Sequence, residues 1–287
     1  MIMISVVIPT YNRKKLLEKC LESLANQSYK DYEVIVVGDV STGGTGSLIR
    51  EMQKRFKNIR HFRQEALGHS MARNFGFSKA MGEIIASIDD DCTAEPGWLK
   101  RIDAAFKKHP NVAAVGGAVI NPINTRISWS YHILGFSDWF PGMRKRFVRN
   151  IPTCNIAYRK ESIAGMEFED DRRILGYRDS LFNMGVLKRG RILFDPEIRV
   201  FHHRWAGKHS VAEFLKTQRR QALGFYHGGY KVHRAGSILR FFWPLGLLCP
   251  RLSFVLYRCT KTGTTKKFIS NLPLIVRGEV ERGRKYE

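Results

Sequence analysis

Acidic side chains are in short supply: Asp and Glu number 26 against 48 Lys and Arg, a formal charge of +22 over 287 residues. That balance argues against a cationic partner and for a polyanionic one, whether nucleic acid, an anionic bilayer or a phosphorylated substrate. Cysteine is also sparse. Cys20, Cys92, Cys154, Cys249 and Cys259 are odd in number, widely spaced and without a C-x-x-C pair, so neither a disulfide framework nor a zinc site is indicated and a reducing compartment is expected. No apolar run approaches the roughly 20 residues of a spanning helix. The glycines of "VVGDVSTGGTG" (36–46) form neither G-x-G-x-x-G nor G-K-S/T, so Gly43, Gly44 and Gly46 read as turn residues rather than a phosphate loop. Internal repeats and low-complexity segments are absent. "MIMISVVIPTYNR" lacks the basic region and cleavage site of a signal peptide and reads as a first strand.

What is present is a 44% hydrophobic chain, enough for a sizeable core. "ISVVIPT" (4–10) and "YEVIVVG" (32–38) are β-branched runs typical of buried strands. Between them Leu16, Leu17, Cys20, Leu21 and Leu24 mark one face of a helix. This βαβ unit predicts a parallel sheet with a right-handed crossover. The pattern continues with a helix through Leu48, Met52 and Phe56, a strand at 59–62, a helix over 71–81, and strands at 83–88 and 111–120. The fold class is therefore α/β.

The strand at 83–88 runs into Asp89-Asp90-Asp91. Two like charges about 4 Å apart repel by roughly 4 kcal/mol at an effective dielectric near 20, so something must offset them. Ligands of open α/β sheets bind at the carboxyl ends of strands, and a hard divalent cation, Mg²⁺ or Mn²⁺, is what paired carboxylates commonly hold against phosphates. If the segment stays extended, alternation puts Asp89 and Asp91 on one face and leaves Asp90 on the other as the replaceable member. Pro96-Gly97 forces a turn beyond. "FHHRW" (201–205), after the expected strand "ILFDPEIRV", supplies an imidazole able to complete a metal shell begun by Asp91.

Beyond residue 110 the chain becomes aromatic, with Trp129, Tyr131, Phe136, Trp139 and Phe140 serving either as core or as sugar or lipid contacts. Residues 208–225 predict a helix opened by a Ser210/Glu213 capping box, with Val211, Phe214, Leu215, Ala222 and Phe225 on its apolar face and Lys216, Arg219 and Arg220 solvated. The basic tail from Lys231 contains "FFWPLGLLCP" (241–250), too short to span and suited either to an interfacial or re-entrant hairpin with its basic residues facing anionic headgroups or to a small apolar subdomain packed on the main one.

"SVVIPTYNR", "EVIVVGDVSTGGT", "ARNFGFSKAMGEIIASIDDDCTAEPGWL", "TCNIAYRKE", "GYRDSLFNMGVLKRG" and "PEIRVFHH" together resemble the inverting family 2 glycosyltransferases, over roughly residues 3–203. The resemblance implies a GT-A fold: a mostly parallel, Rossmann-like sheet flanked by helices, as a catalytic domain over 1–230. Its nucleotide-sugar half would run to about 110 and its acceptor half over 111–230. A partly apolar helical extension, 231–287, would lie on the membrane. Pro9, Thr10, Tyr11, Asp39, Arg73, Asp89 and Asp90 would bind the nucleotide-sugar, a UDP- or GDP-sugar. Asp91, with His202, would bind Mg²⁺ or Mn²⁺. Asp179, eleven residues before Gly190, would be the catalytic base, and Trp129, Trp139 and Arg178 would face a glycan or lipid-linked acceptor. Gly38 and Val40, around Asp39, and Arg178, in place of a glutamate, depart from the family pattern. The implied role is cell-envelope polysaccharide synthesis on the cytoplasmic face of the membrane, with no nucleic-acid partner. A related nucleotidyltransferase, an inactive relative and a basic nucleic-acid-binding protein are the alternatives.

Overall fold

The computed structural model describes residues 2–39, 44–64, 68–170, 178–204, 210–217, 259 and 263–283, without the side chains of 39 and 278–283. These fall into two compact units: residues up to Ile120 with Arg144–Asp170 and Asp179–His203, and Asn121–Met143 with Arg178 and the described residues from Arg204 onward.

The first unit is built on one sheet. Strand β1 (Ile4–Thr10), helix α1 (Lys14–Ala25), β2 (Tyr32–Asp39), α2 (Thr45–Arg55), β3 (Ile59–Gln64), α3 (His69–Lys79) and β4 (Ile84–Ser87) follow in the expected alternation. β1 and β4 are buried along their whole length, as strands covered on both faces must be. α1 buries Leu17, Cys20, Leu21 and Leu24 of the face its periodicity marks and leaves Leu16 half-buried. Helix α3 lies close over the sheet because residue 76 is glycine: a Cβ there would stand 2.4 Å from Val7 Cγ1. α2 ends one residue earlier than expected, Phe56 being extended.

β5 (Cys92–Ala94), α4 (Trp98–Lys108), β6 (Val112–Ile120), β7 (Arg146–Val148), β8 (Ile156–Arg159), α6 (Arg178–Val186) and β9 (Arg191–His202) complete this unit. The strand order is β3-β2-β1-β4-β8-β6-β9-β5, with β7 also on β9. β1 to β4 pair parallel, as expected, and β8, β5 and β7 add antiparallel pairings, so the sheet is mixed around a parallel core. β6 and β9 are parallel, with a register shift after Gly117. Only glycine fits there, since a Cβ would meet the Ile198 carbonyl oxygen at 1.9 Å.

In the second unit α5 (Arg126–Phe136) is capped by Thr125, whose hydroxyl accepts from Ser128 N at 3.2 Å, and packs on the C-terminal helix Thr265–Gly283. Tyr131, Phe136 and Phe140 are buried, so these aromatics are core; Phe140 stacks on His132. Trp129 and Trp139 are half-buried, and Lys267 sits over the Trp129 ring. Residues 211–217 are helical and the capping box forms: Ser210 N donates to Glu213 Oε2 at 2.8 Å and Glu213 N to Ser210 Oγ at 3.1 Å. Phe214 is buried there but Val211 is exposed, contrary to the expected apolar face. Arg219, Arg220, Ala222, Phe225, the 230/231 boundary and the 241–250 stretch lie outside the described residues. Among the described residues no helix is long and apolar enough to cross a membrane.

Candidate active site and metal centre

The carboxyl ends of β1, β2 and β4 meet where the three aspartates lie. The acidic segment does not stay extended: Cys92 N donates to Asp89 O at 3.0 Å, closing a turn through Asp90 and Asp91 that starts β5. This corrects the expected alternation. Asp90, expected on the opposite face as the replaceable member, is 1% exposed, accepting from Thr10 Oγ1 at 2.8 Å and from Arg13 at 3.0 Å. Burial pushes its carboxyl up to about 6, Arg13 and Thr10 opposing that rise while Asp91 and Asp89 add to it. Cys20 beneath, buried among the same charges, is held a thiol.

β5 pairs antiparallel with β9, and the register sets Cys92 directly opposite His202. That pairing, across more than a hundred residues of chain, brings His202 Nε2 to 3.5 Å from Asp91 Oδ1, both side chains being buried. His203 N also donates to Asp91 O at 2.7 Å, and its ring meets Thr93 Oγ1 at 2.9 Å, so the two histidines point to different tasks. Asp91, Cys92 and His202 offer ligand atoms within 4.8 Å of one another. Burial, aided by Cys154, raises the Cys92 thiol well above its ordinary value; the other two candidate donors are the Asp91 carboxylate and the His202 imidazole. An O,N pair suits Mn²⁺ better than Mg²⁺, which prefers oxygen throughout. The residues fit a divalent cation.

Asp89 is the more open member, and Arg73 Nη2 donates to its Oδ1 at 2.5 Å. Although burial works to raise the Asp89 carboxyl, Arg73 and then His69 and His202 hold it below the usual range. Arg73 itself is 6% exposed; burial opposes its charge, but Asp89 first and Asp179 second more than compensate.

Asp179 stands in the first turn of α6, its Oδ2 accepting from Thr153 N at 3.0 Å and Thr153 Oγ1 at 2.9 Å. α6 is in turn held by Asn183, fully buried, which donates to Ile151 O at 2.8 Å and accepts from Tyr158 OH at 3.0 Å. The segment bearing Thr153 is pinned by Asn155, which donates to Ala118 O and Ile198 O at 2.9 and 2.8 Å and accepts from Trp98 Nε1 at 2.8 Å. Thr153, Asn155, Asn183 and Arg13 were not singled out by sequence reasoning. The signal for the first two was the polar "TCN" preceding an apolar strand.

Other expected residues are placed as follows. Pro9 and Thr10 end β1, with Thr10 on Asp90, and Tyr11 is 48% exposed just beyond. Asp39 ends β2, its side chain outside the described residues. Gly38 abuts His61, whose Nε2 lies 3.2 Å from where a Cβ would stand. Arg178 opens α6 and, like Trp129 and Trp139, belongs to the second unit.

Solved structures share this architecture. A mannosyltransferase of Pyrobaculum calidifontis, in complex with GDP-Man and Mn²⁺, superposes with a TM-score of 0.63 at 19% identity over 98% of this chain and 74% of that one. S. aureus TarS in complex with UDP-GlcNAc gives 0.55 at 17% identity, over 99% and 92%. The fold is thus GT-A-like, a mixed sheet flanked by helices with a helical C-terminal extension. Within that class the family is defined by sequence: the glycosyl transferase family 2 model matches residues 5–175, more than half of the chain, and the protein belongs to that family.

Among curated relatives, a dolichyl N-acetyl-α-D-glucosaminyl phosphate 3-β-D-2,3-diacetamido-2,3-dideoxy-β-D-glucuronosyltransferase of Methanococcus voltae is 27% identical over 88% of this chain and 81% of its own length. A GalNAc(5)-diNAcBac-PP-undecaprenol β-1,3-glucosyltransferase of Campylobacter jejuni is 39% identical over 34% and 33%. Several other relatives are matched over less than half of their own length, 19% and 40% in two cases. The protein is a glycosyltransferase with a candidate metal-coordinating site.

Proposed function

We propose that the protein transfers a sugar from a UDP- or GDP-sugar to a lipid-linked or polysaccharide acceptor, with inversion, and that Asp179 is the general base. The observations that support this reading are the match to the glycosyl transferase family 2 model, the buried Asp91–His202 pair at 3.5 Å, and Asp179 in the first turn of α6 accepting two bonds from Thr153. In that role Asp179, oriented by the two Thr153 donors, takes the proton of an acceptor hydroxyl. The hydroxyl oxygen attacks the anomeric carbon from the face opposite the leaving nucleoside diphosphate. Asp91 and His202 would hold the cation, which supplies charge stabilisation at the diphosphate. Thr10 and Tyr11, at the end of β1, and Asp39, at the end of β2, would line the nucleoside pocket, while Asp89 would face the donor sugar and ribose. Trp129, Trp139 and Arg178 are proposed to meet the acceptor. The relatives named for dolichyl- and undecaprenol-linked acceptors support a lipid-linked one. The charge of +22 supports residence on the cytoplasmic face of an anionic membrane.

Product analysis tests this. With Mn²⁺ and a matched acceptor, nucleoside diphosphate is the expected product, EDTA stops its release and Asp91→Ala does the same. Release of pyrophosphate would assign a nucleotidyltransferase instead, and full activity of the Asp91→Ala protein would overturn the metal assignment.

A further inference from the structure

Arg13 has a position that donor recognition alone does not account for. Asn12 before it adopts a left-handed backbone, φ 53°, and the carbonyl of Arg13 caps α1 by accepting from Leu16 N and Leu17 N, each at 3.0 Å. The residue is therefore anchored at its backbone. Its side chain reaches back so that one nitrogen, Nη1, donates to Asp90 Oδ1 at 3.0 Å and to Asp91 Oδ2 at 3.1 Å. Asp91 is thereby divided: Oδ2 faces the guanidinium and Oδ1 faces His202 and Cys92, at 3.5 and 3.9 Å. A third of the Arg13 side chain remains open to solvent while both carboxylates are buried.

We propose that Arg13 is an internal counterion that competes with the divalent cation for Asp91 and makes cation binding depend on the nucleotide. The inference rests on the assignment of Asp91 and His202 as metal ligands. A fixed positive charge on a ligand carboxylate lowers the affinity of that carboxylate for a second positive charge and restricts it to the remaining oxygen. The diphosphate of a nucleotide offers Arg13 another anion, so binding of one ligand frees Asp91 for the other. By linkage the effect is reciprocal: whatever factor the nucleotide adds to cation affinity, the cation adds to nucleotide affinity. Arg13 is a positioning residue in this account, acting on the cation through Asp91. Arg13 thus pairs with two of the three adjacent carboxylates, leaving them with a net negative charge, and Arg73 pairs with the third.

The test is Mn²⁺ binding to the full chain, measured by electron paramagnetic resonance of the free ion, with and without UDP or GDP. Without nucleotide, Arg13→Gln is expected to bind Mn²⁺ about tenfold tighter than the wild type, within the range typical of coupled sites. Arg13→Met, which keeps the apolar stem, should do the same, and Arg13→Lys should stay near the wild type. With nucleotide the gap should close, because the wild type gains affinity and the Gln variant gains little. Equal or weaker Mn²⁺ binding by both neutral variants would overturn the competition while leaving the metal assignment standing. If neither the wild type nor the variants bind Mn²⁺ under any condition, the metal assignment itself falls and this inference falls with it.

Discussion

Thr153 and Asp90 show how much of the site is decided by single polar side chains. Thr153, buried, gives both its backbone N–H and its hydroxyl to one oxygen of Asp179. Thr153→Val keeps the first donor and loses the second, so it should lower kcat about tenfold, near the bottom of what general-base placement contributes, with little change in donor KM. Steady-state kinetics reads the split; a rise in KM at unchanged kcat would assign Thr153 to binding. Asp90→Ala removes the acceptor for Thr10 and one partner of Arg13 inside the fold. It is expected to cost about 2 kcal/mol in urea unfolding, the scale of a lost buried bond to a charged group. Wild-type stability would restore the view that Asp90 is expendable.

That view came from treating 83–91 as continuous strand. Alternation describes a strand only while it remains one, and the Cys92-to-Asp89 turn ends it.

At the scale of elements, most of the first unit was legible. β-branched runs and a repeating leucine face mark β1, α1 and β2 because burial on both sheet faces and on one helix face leaves a periodic trace. The antiparallel strands β5, β7 and β8 were not: each has three or four residues, too few for a period, and their partners are distant in sequence. The meeting of Asp91 with His202 depends on β5 pairing with β9, so the chemistry suggested a metal shell whose geometry only long-range pairing creates.

Glu33 in β2 is an example of how such elements are tied together. Its carboxylate, buried, accepts from Ser5 Oγ at 2.6 Å on β1, from Met81 N at 2.8 Å before β4, and from Arg60 Nη1 at 2.5 Å on β3. Burial alone would raise this carboxyl, but the Ser5, Arg60 and Met81 bonds bring it below its ordinary 4.5. A depressed carboxyl stabilises the fold above its unfolded value and loses that contribution as pH falls through the folded one. Glu33→Gln should therefore cost about 1.5–3 kcal/mol at neutral pH, as for a bond to a charged group, and progressively less as pH falls below 4.5. Urea unfolding of both proteins across that range checks it; a gap that widens on acidification would refute it.

For the whole molecule, the charge of +22 is the first property visible and the least specific. Our reading assigns it to an anionic membrane surface, so the full chain should cosediment with vesicles containing phosphatidylglycerol or phosphatidylserine and be released as salt rises, but not with neutral vesicles. Equal binding to neutral vesicles would point to apolar contact instead.

The central claim is that one acidic cluster organises the donor while Asp179 performs the proton transfer, a division that Asp179→Asn separates. Donor affinity, measured by isothermal titration with Mn²⁺ present, should stay within about twofold of the wild type while sugar transfer falls by a factor of 10² or more. Loss of donor binding with the same substitution, or transfer at an undiminished rate, would contradict the account.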